Sequence, residues 1–425
     1  MRSLVLVLAS LLALSGCQGR TDPPGDAPTG VTATPGDGLV VISWDTAPDL
    51  TYWIFYEPGS SVAIAQPESI AIRHAISPRP VAGLSNGTQY AFAMNATHND
   101  SAAGPSSPPV FAIPRLAGDT WALGTPLAPP PPGTLPQNLK AMASNGVGRF
   151  VAVGDAATIF AGDFSYTNVD PQGITKWLPP TVPPPGVTAN FSAVIFSSIF
   201  VALGSDGSVA SSADGFTWTA NNRIPSIGSM NGIAFAVVDS VTPTYVAVGD
   251  GGQIFVSTDL ATWTPVAVAG VASDLKSVAL VDRNFLATGS GGTLLTSPTP
   301  AIATSWTPLA SNTPNTLRAA IFSPLTPVIH YVAVGDAGTI VTSPDGVAWT
   351  PVTLAPPIAQ NLLSVTVGGA SGSRILAVGQ GGAVVFSDDG VSWQTAASGV
   401  SLSKVAFVSS LYLAVGDGGA NAVSR

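Results

Sequence analysis

From residue 139 onward short apolar runs alternate with glycine-rich turns, and the alternation repeats. The phrase "YVAVGDAGTIVTSPDGVAW" (residues 331–349) returns as "YVAVGDGGQIFVSTDLATW" from Tyr245 and as "ILAVGQGGAVVFSDDGVSW" from Ile375. A glycine closes each "VAV"-like run, at Gly154, Gly204, Gly249, Gly289, Gly335, Gly379 and Gly416. A tryptophan follows at Trp177, Trp218, Trp263, Trp306, Trp349 and Trp393. Within the runs apolar residues alternate, which is strand periodicity, and no helical stripe is sustained beyond the N-terminus. Each unit predicts four strands. The first is like "LKSVAL" (275–280) or "LRAAIF" (317–322), the second like "YVAVG", the third like "GTIVTS", and the fourth carries the Trp. "GDGG" and "GDAG" read as hairpins between the second and third.

A unit recurring every ~40–50 residues has the length of a propeller blade. One small antiparallel sheet cannot bury both faces, so the units must stack in a ring. Seven glycine units are present, but the last, "YLAVGDGGANAVSR", has neither fourth strand nor Trp. "GDTWALGTPL", with Trp121, lies ahead of the first unit and supplies both. The prediction is an all-β chain whose residues 116–425 form a seven-bladed β-propeller closed by an N-terminal strand. Pro129 to Pro132 form a stiff segment within it.

Ahead of the repeats, residues 28–115 also alternate as strands. "LTYWIFYEP" places Tyr52, Ile54 and Tyr56 on one face, and Val31, Val41 and Trp44 lie where a core would want them. Leu84, Gly87, Thr88 and Tyr90 resemble the tyrosine corner of a fibronectin type III domain, and Gly104, Pro105 and Ser107 match its last hairpin. The resemblance implies a seven-stranded β-sandwich with Trp44 and Tyr90 in its core and no catalysis. His74 and His98 are isolated and are expected at the surface.

The first residues, "MRSLVLVLASLLALSGCQGR", combine a positive start at Arg2 with an apolar run too short to span a bilayer. "LSGC" resembles the lipobox of bacterial lipoproteins. That resemblance implies a signal peptide over 1–16, lipidation of Cys17 and a membrane anchor, and Gln18 after the cysteine favours the outer membrane. Residues 17–27 read as a polar tether. Cys17 is the one cysteine, so no intrachain disulfide forms.

Composition narrows the function. Charged residues are 9% of 425 and the formal net charge is −9. The 15 Lys and Arg form no basic run, which argues against nucleic-acid binding. The phrase Ser212, Asp214, Gly215, Trp218 recurs as Ser343, Asp345, Gly346, Trp349 and as Ser387, Asp389, Gly390, Trp393. Asp259 and Trp263 keep it with Leu260 in place of Gly. These resemble the Asp-box (BNR) repeat of sialidase-like and sortilin-like propellers. There the Asp accepts turn N–H groups, the Gly takes a positive φ, and the Trp packs between blades. Such a turn is structural and holds Trp349 against the next blade. A second Asp series, Asp155, Asp250, Asp336 and Asp417, follows the "VG" and sits in the hairpin that opens toward the mouth. Lys140, Lys276 and Arg318 occupy one repeat position at the start of the inner strand, where other blades have Ser192, Asn231, Leu363 and Ser403. Either they pair with the hairpin aspartates or they meet a polar or anionic ligand in the funnel. Arg149, Arg283 and Arg374 precede second strands and are expected to be solvated.

Inventory counts against a sialidase-like glycoside hydrolase, which stays the third reading behind a protein partner and a glycan. That family uses a Tyr nucleophile with a Glu, an Asp acid/base and three Arg. The two glutamates here, Glu57 and Glu68, precede the propeller; Tyr245, Tyr331 and Tyr412 begin second strands, and the remaining propeller tyrosine is Tyr166. His330 is the propeller's one histidine, so neither a Ser-His-Asp set nor a zinc cluster is indicated. The repeat phrase also resembles the propeller of photosystem II assembly factors, which favours a non-catalytic protein-binding platform. The expectation is a monomeric, lipid-anchored envelope protein without cofactor or metal, periplasmic or surface-exposed, with a protein partner or, alternatively, a cell-wall glycan.

Overall fold

The "VAVG" runs form strands because their small and β-branched residues are covered on both faces. In the computed structural model they belong to seven four-stranded antiparallel sheets, six of them ordered as in the chain and the seventh completed by a strand from ahead of the ring. The structure describes residues 22–64, 70–128, 135–163, 176–178, 183–184, 186–238, 241–323, 330–369, 374–408 and 410–425. The signal segment, Cys17, Pro129 to Pro132, Tyr166 and Glu68 lie outside them.

The first strands of the seven sheets are Leu139–Ser144, Phe191–Phe196, Met230–Val238, Leu275–Val281, Leu317–Phe322, Leu362–Gly368 and Leu402–Val408. Each lies against the next, and the last lies against the first, so the ring closes as a β-propeller. Blades 1 to 7 are numbered from these inner strands. Blade 7 takes its fourth strand from Ala122–Leu123, which pairs with Asn421–Ser424: Ala422 stands opposite Leu123, and Val423 opposite Ala122.

The closure also assembles a turn from both ends of the propeller. In blades 2, 5 and 6, Ser212, Ser343 and Ser387 accept a hydrogen bond from the N–H of Gly215, Gly346 and Gly390 at 2.8–2.9 Å. The indoles of Trp218, Trp349 and Trp393 donate to those glycine carbonyls at 3.1–3.2 Å. In blade 7, Ser424 Oγ accepts from Gly118 N at 2.7 Å, and Trp121 Nε1 donates to Gly118 O at 3.2 Å. The guanidinium of Arg374 in blade 6 donates to Ala117 O, just as Arg149 in blade 1 donates to Asp214 O. Ala117 therefore stands where the other turns have Asp. The signal was present in the Gly-x-x-Trp spacing of Gly118 and Trp121.

Seven apolar clusters lie between successive blades, and each Trp joins the blade before its own. Trp349 of blade 5, 2% exposed, packs with Leu286 and Leu294 of blade 4. Trp218 packs with Val151 and Val153 of blade 1, and Trp121 with Leu376 and Val378 of blade 6. The expected direction, toward the next blade, is thus reversed. Hairpins tie the ring on the mouth side. The N–H of Ala156, Gly251, Ala337, Gly381 and Gly418 donates to Asn190, Asp274, Asn361, Ser401 and Asn138, each just ahead of the next blade's inner strand.

The strands ahead of the ring form a three-stranded sheet (Thr32–Gly36, Leu39–Ser43, Arg79–Ala82) and a four-stranded sheet. The latter is ordered Ile70–Ala75, Thr51–Pro58, Tyr90–Thr97, Val110–Ala112. Trp44 and Tyr90 are buried, and Trp44 packs on Tyr52 with ring centroids 5.5 Å apart. His98 is buried as well, against the surface expectation, because its Nδ1 meets Asp49 O at 3.1 Å. His74 is exposed beside Asp100.

Candidate functional site

Every inner strand begins with the same irregularity. In blade 4, Leu275 stands opposite Gly289 and Ser277 opposite Thr288, so Lys276 has no partner of its own. The same count leaves Lys140, Ser192, Asn231, Arg318, Leu363 and Ser403 as the extra residue in their blades. A bulge bends the strand and re-aims that side chain. All seven bulged residues line one central cavity of about 720 Å³.

The glycine ending each second strand makes the bulge feasible. In blades 3 to 7 its φ is extended, between −155° and −169°, so the need is space and not handedness. A Cβ on Gly335 would lie 1.9 Å from Thr316 O, and one on Gly416 2.0 Å from Ser401 O. Gly204 differs: its nearest neighbour would be the Asp206 carboxylate tip, at 2.9 Å.

The three cations at the bulge are paired with the hairpin aspartates. Lys140 pairs with Asp155, and Arg318 forks onto both oxygens of Asp336. Lys276 Nζ is 3.0 Å from both Asp250, on blade 3's hairpin, and Asp274. Burial pulls the Lys276 pKa down, but its bonds to Asp250 and Asp274 outweigh that and hold it above the ordinary value. Asp417 lines the cavity itself, and its carboxylate has no partner among the described residues. The mouth thus presents ion pairs, the Asp417 carboxylate and neutral polar groups around a partly apolar channel. Arg149 and Arg374 are not solvated as expected: they pair with Asp163 and Asp388, and Arg374 is buried. Sequence reading also missed Lys404, which lines the channel one position beyond the bulge.

The box aspartates serve their turns. Asp214 accepts from the N–H of Thr217 and Phe216 at 2.8 Å, and Asp389 from Ser392 and Val391 at 2.7 and 2.8 Å. Asp259 and Asp345 repeat the pattern. Leu260 adopts φ 61° where the other boxes place Gly. These backbone N–H bonds, Thr217 first for Asp214 and Ser392 first for Asp389, lower both carboxyls to about 2. Folding lowers these pKa values, so the turns stabilise the protein above the ordinary carboxylate value of about 4 and lose that contribution as pH falls toward about 2. Melting temperature between pH 5 and 2 should fall less steeply in the Asp214→Ala/Asp389→Ala variant than in the wild type, from a lower start. Parallel curves would contradict this role.

Among the described residues no group of three His, Cys, Asp or Glu could hold a metal, and no helix is long and apolar enough to cross a membrane. Residues 269–407 match the DUF6242 beta propeller domain, from just ahead of blade 4 to the inner strand of blade 7. No curated protein matches the chain. Among solved structures it is similar to YCF48 bound to D1 peptide, at 19% identity, over 73% of this chain and 99% of that one, with a TM-score of 0.54. It is also similar to the WD40 beta propeller domain of Doa1, at 12% identity, over 72% and 97%, with a TM-score of 0.52. At such identities the likeness is one of fold. The chain carries a β-propeller domain, similar over residues 269–407 to the DUF6242 beta propeller domain.

Proposed function

We propose that this protein is a non-catalytic, lipid-anchored envelope protein whose propeller mouth engages a protein partner. One observation carries the reading. Turn and packing positions repeat from blade to blade, while the seven bulged positions that converge on the mouth hold five different residue types. Repetition builds the ring, and variation at one face gives it an asymmetric surface to recognise with. The similar propeller of YCF48, whose structure holds a D1 peptide, supports the general idea of a protein ligand. A non-catalytic role is supported by the inventory: no Glu within the propeller, and hairpin carboxylates at Asp155, Asp250 and Asp336 each engaged by a cation. A glycan platform is less favoured, because among the described residues the aromatics lining the cavity are Phe196 and Phe235, and both pack on neighbouring rings. In this reading residues 28–115 act as a fibronectin type III spacer and Cys17 as the anchor.

Removing Lys140, Lys276 and Arg318 would leave four carboxylates, Asp155, Asp250, Asp274 and Asp336, without their cation and confuse binding with folding. Filling the mouth is cleaner. Ser192→Trp/Ser403→Trp should lose the proteins that the wild type captures by crosslinking in intact envelopes, with melting unchanged. Capture that persists would sink the proposal, as would hydrolysis of a glycan panel at enzymatic rates. Cys17→Ser should move the protein to the soluble fraction; retention in membranes would overturn the anchor.

A further inference from the structure

We propose that the central channel is a binding site for a carboxylate-bearing ligand, seated on the Lys404 ammonium. This deepens the reading of the mouth as a binding face and rests on it.

The position of Lys404 is the first observation. It stands opposite Val415, at the register point where the other blades hold Ala141, Ala193, Gly232, Ser277, Ala319 and Ser364. Small residues suit this point because the inner strands converge there. A Cβ on Gly232 would already lie 3.0 Å from Ser277 Cα. A four-carbon side chain has no room between strands, and Lys404 lines the channel, so its stem extends along the lumen.

Its isolation is the second. The other cations lining the cavity, Lys140, Lys276 and Arg318, are each paired with Asp. The Lys404 ammonium has no hydrogen bond or ion pair among the described residues. It keeps some accessible surface, which opens on the lumen, yet protein surrounds it closely enough that burial pushes its pKa down. Lys276, with two Asp partners, is held up instead. An enclosed ammonium without a counter-charge is unfavourable, and an incoming anion relieves it. Apolar walls such as Val194, Ile195 and Val278 strengthen the attraction by excluding competing water. A single ammonium, with Asp417 lining the same cavity, suits a monoanion better than a phosphate dianion. A cavity of about 720 Å³ admits a small organic acid or a slim peptide end.

The test is calorimetric titration at pH 7 with three probes: acetate, acetyl-tetraglycine with a free C-terminus, and its C-terminal amide. Reaction of Lys404 with an amine-acylating reagent, read by peptide mass, runs in parallel and needs no variant. Binding by the acid peptide but not the amide, weakened about tenfold or more in Lys404→Met, supports a peptide carboxylate. Binding by acetate alone, with the same loss, supports a small free acid. Either should protect Lys404 from acylation. The proposal is overturned if no acid binds or protects, or if Lys404→Met binds as tightly as the wild type. None of these readings needs the protein partner, so failure here leaves the mouth-capture experiment standing.

Discussion

Truncation after Ala420 is expected to abolish the sharp unfolding transition of the propeller. The deletion removes Asn421–Ser424, a strand buried throughout. Tyr412, Leu413, Ala414 and Val415 then lose their ladder partners, and Ala122–Leu123 has nothing to pair with. Burial of Val423 alone is worth roughly 1.5–3 kcal/mol, and each orphaned backbone group costs about 1–3 kcal/mol more. Several such losses rival the about 5–15 kcal/mol by which domains are stable. The opened ring also exposes a long edge, which invites aggregation. Ser424→Ala is the graded control. It orphans only the Gly118 N–H, so it should cost about 1–3 kcal/mol and leave the transition cooperative. Calorimetry reads both; a truncated chain that melts as sharply as the full one would show that the ring does not need its closure.

Gly335→Ala is the second large effect. Its methyl group would meet the Thr316 carbonyl oxygen, a backbone atom that no rotamer change can move. Relief requires displacing the start of blade 5's inner strand, which carries the bulge and Arg318. Overpacking typically costs about 1–3 kcal/mol and more where the neighbour is rigid, so a loss at or above the top of that range is expected. Gly204→Ala, at the same repeat position, meets the movable Asp206 carboxylate tip and should cost clearly less. Equal losses at the two sites would mean that the close approach is not why glycine recurs.

Ring and turns were legible in the sequence for a physical reason. Period-two alternation and glycine turns are local, and Asp345 and Trp349 announce a local hydrogen-bond pattern. What stayed hidden was set by register and long-range closure. The bulge at Arg318 exists only relative to the facing strand. The turn shared by Ser424 and Gly118 joins residues 306 apart in sequence. Whether Trp349 leans on blade 4 or blade 6 depends on how sheets stack, which periodicity does not encode. Nothing in the sequence marks out Lys404; only alignment of the seven inner strands places it among small residues. The burial of His98 is hidden in the sequence because its partner, Asp49 O, is a main-chain atom with no sequence signature.

The central claim is that the mouth, and not the repeated turns, makes the contact. Photo-crosslinking residues placed singly at Leu363 and at Val347 test it in intact envelopes. Leu363 is a partly exposed bulged residue in the cavity wall, and Val347, 66% exposed, lies in the box turn of blade 5. The expected result is a discrete protein adduct from position 363 and none from 347. An adduct at 347 with none at 363 would place recognition on the turns and contradict the account.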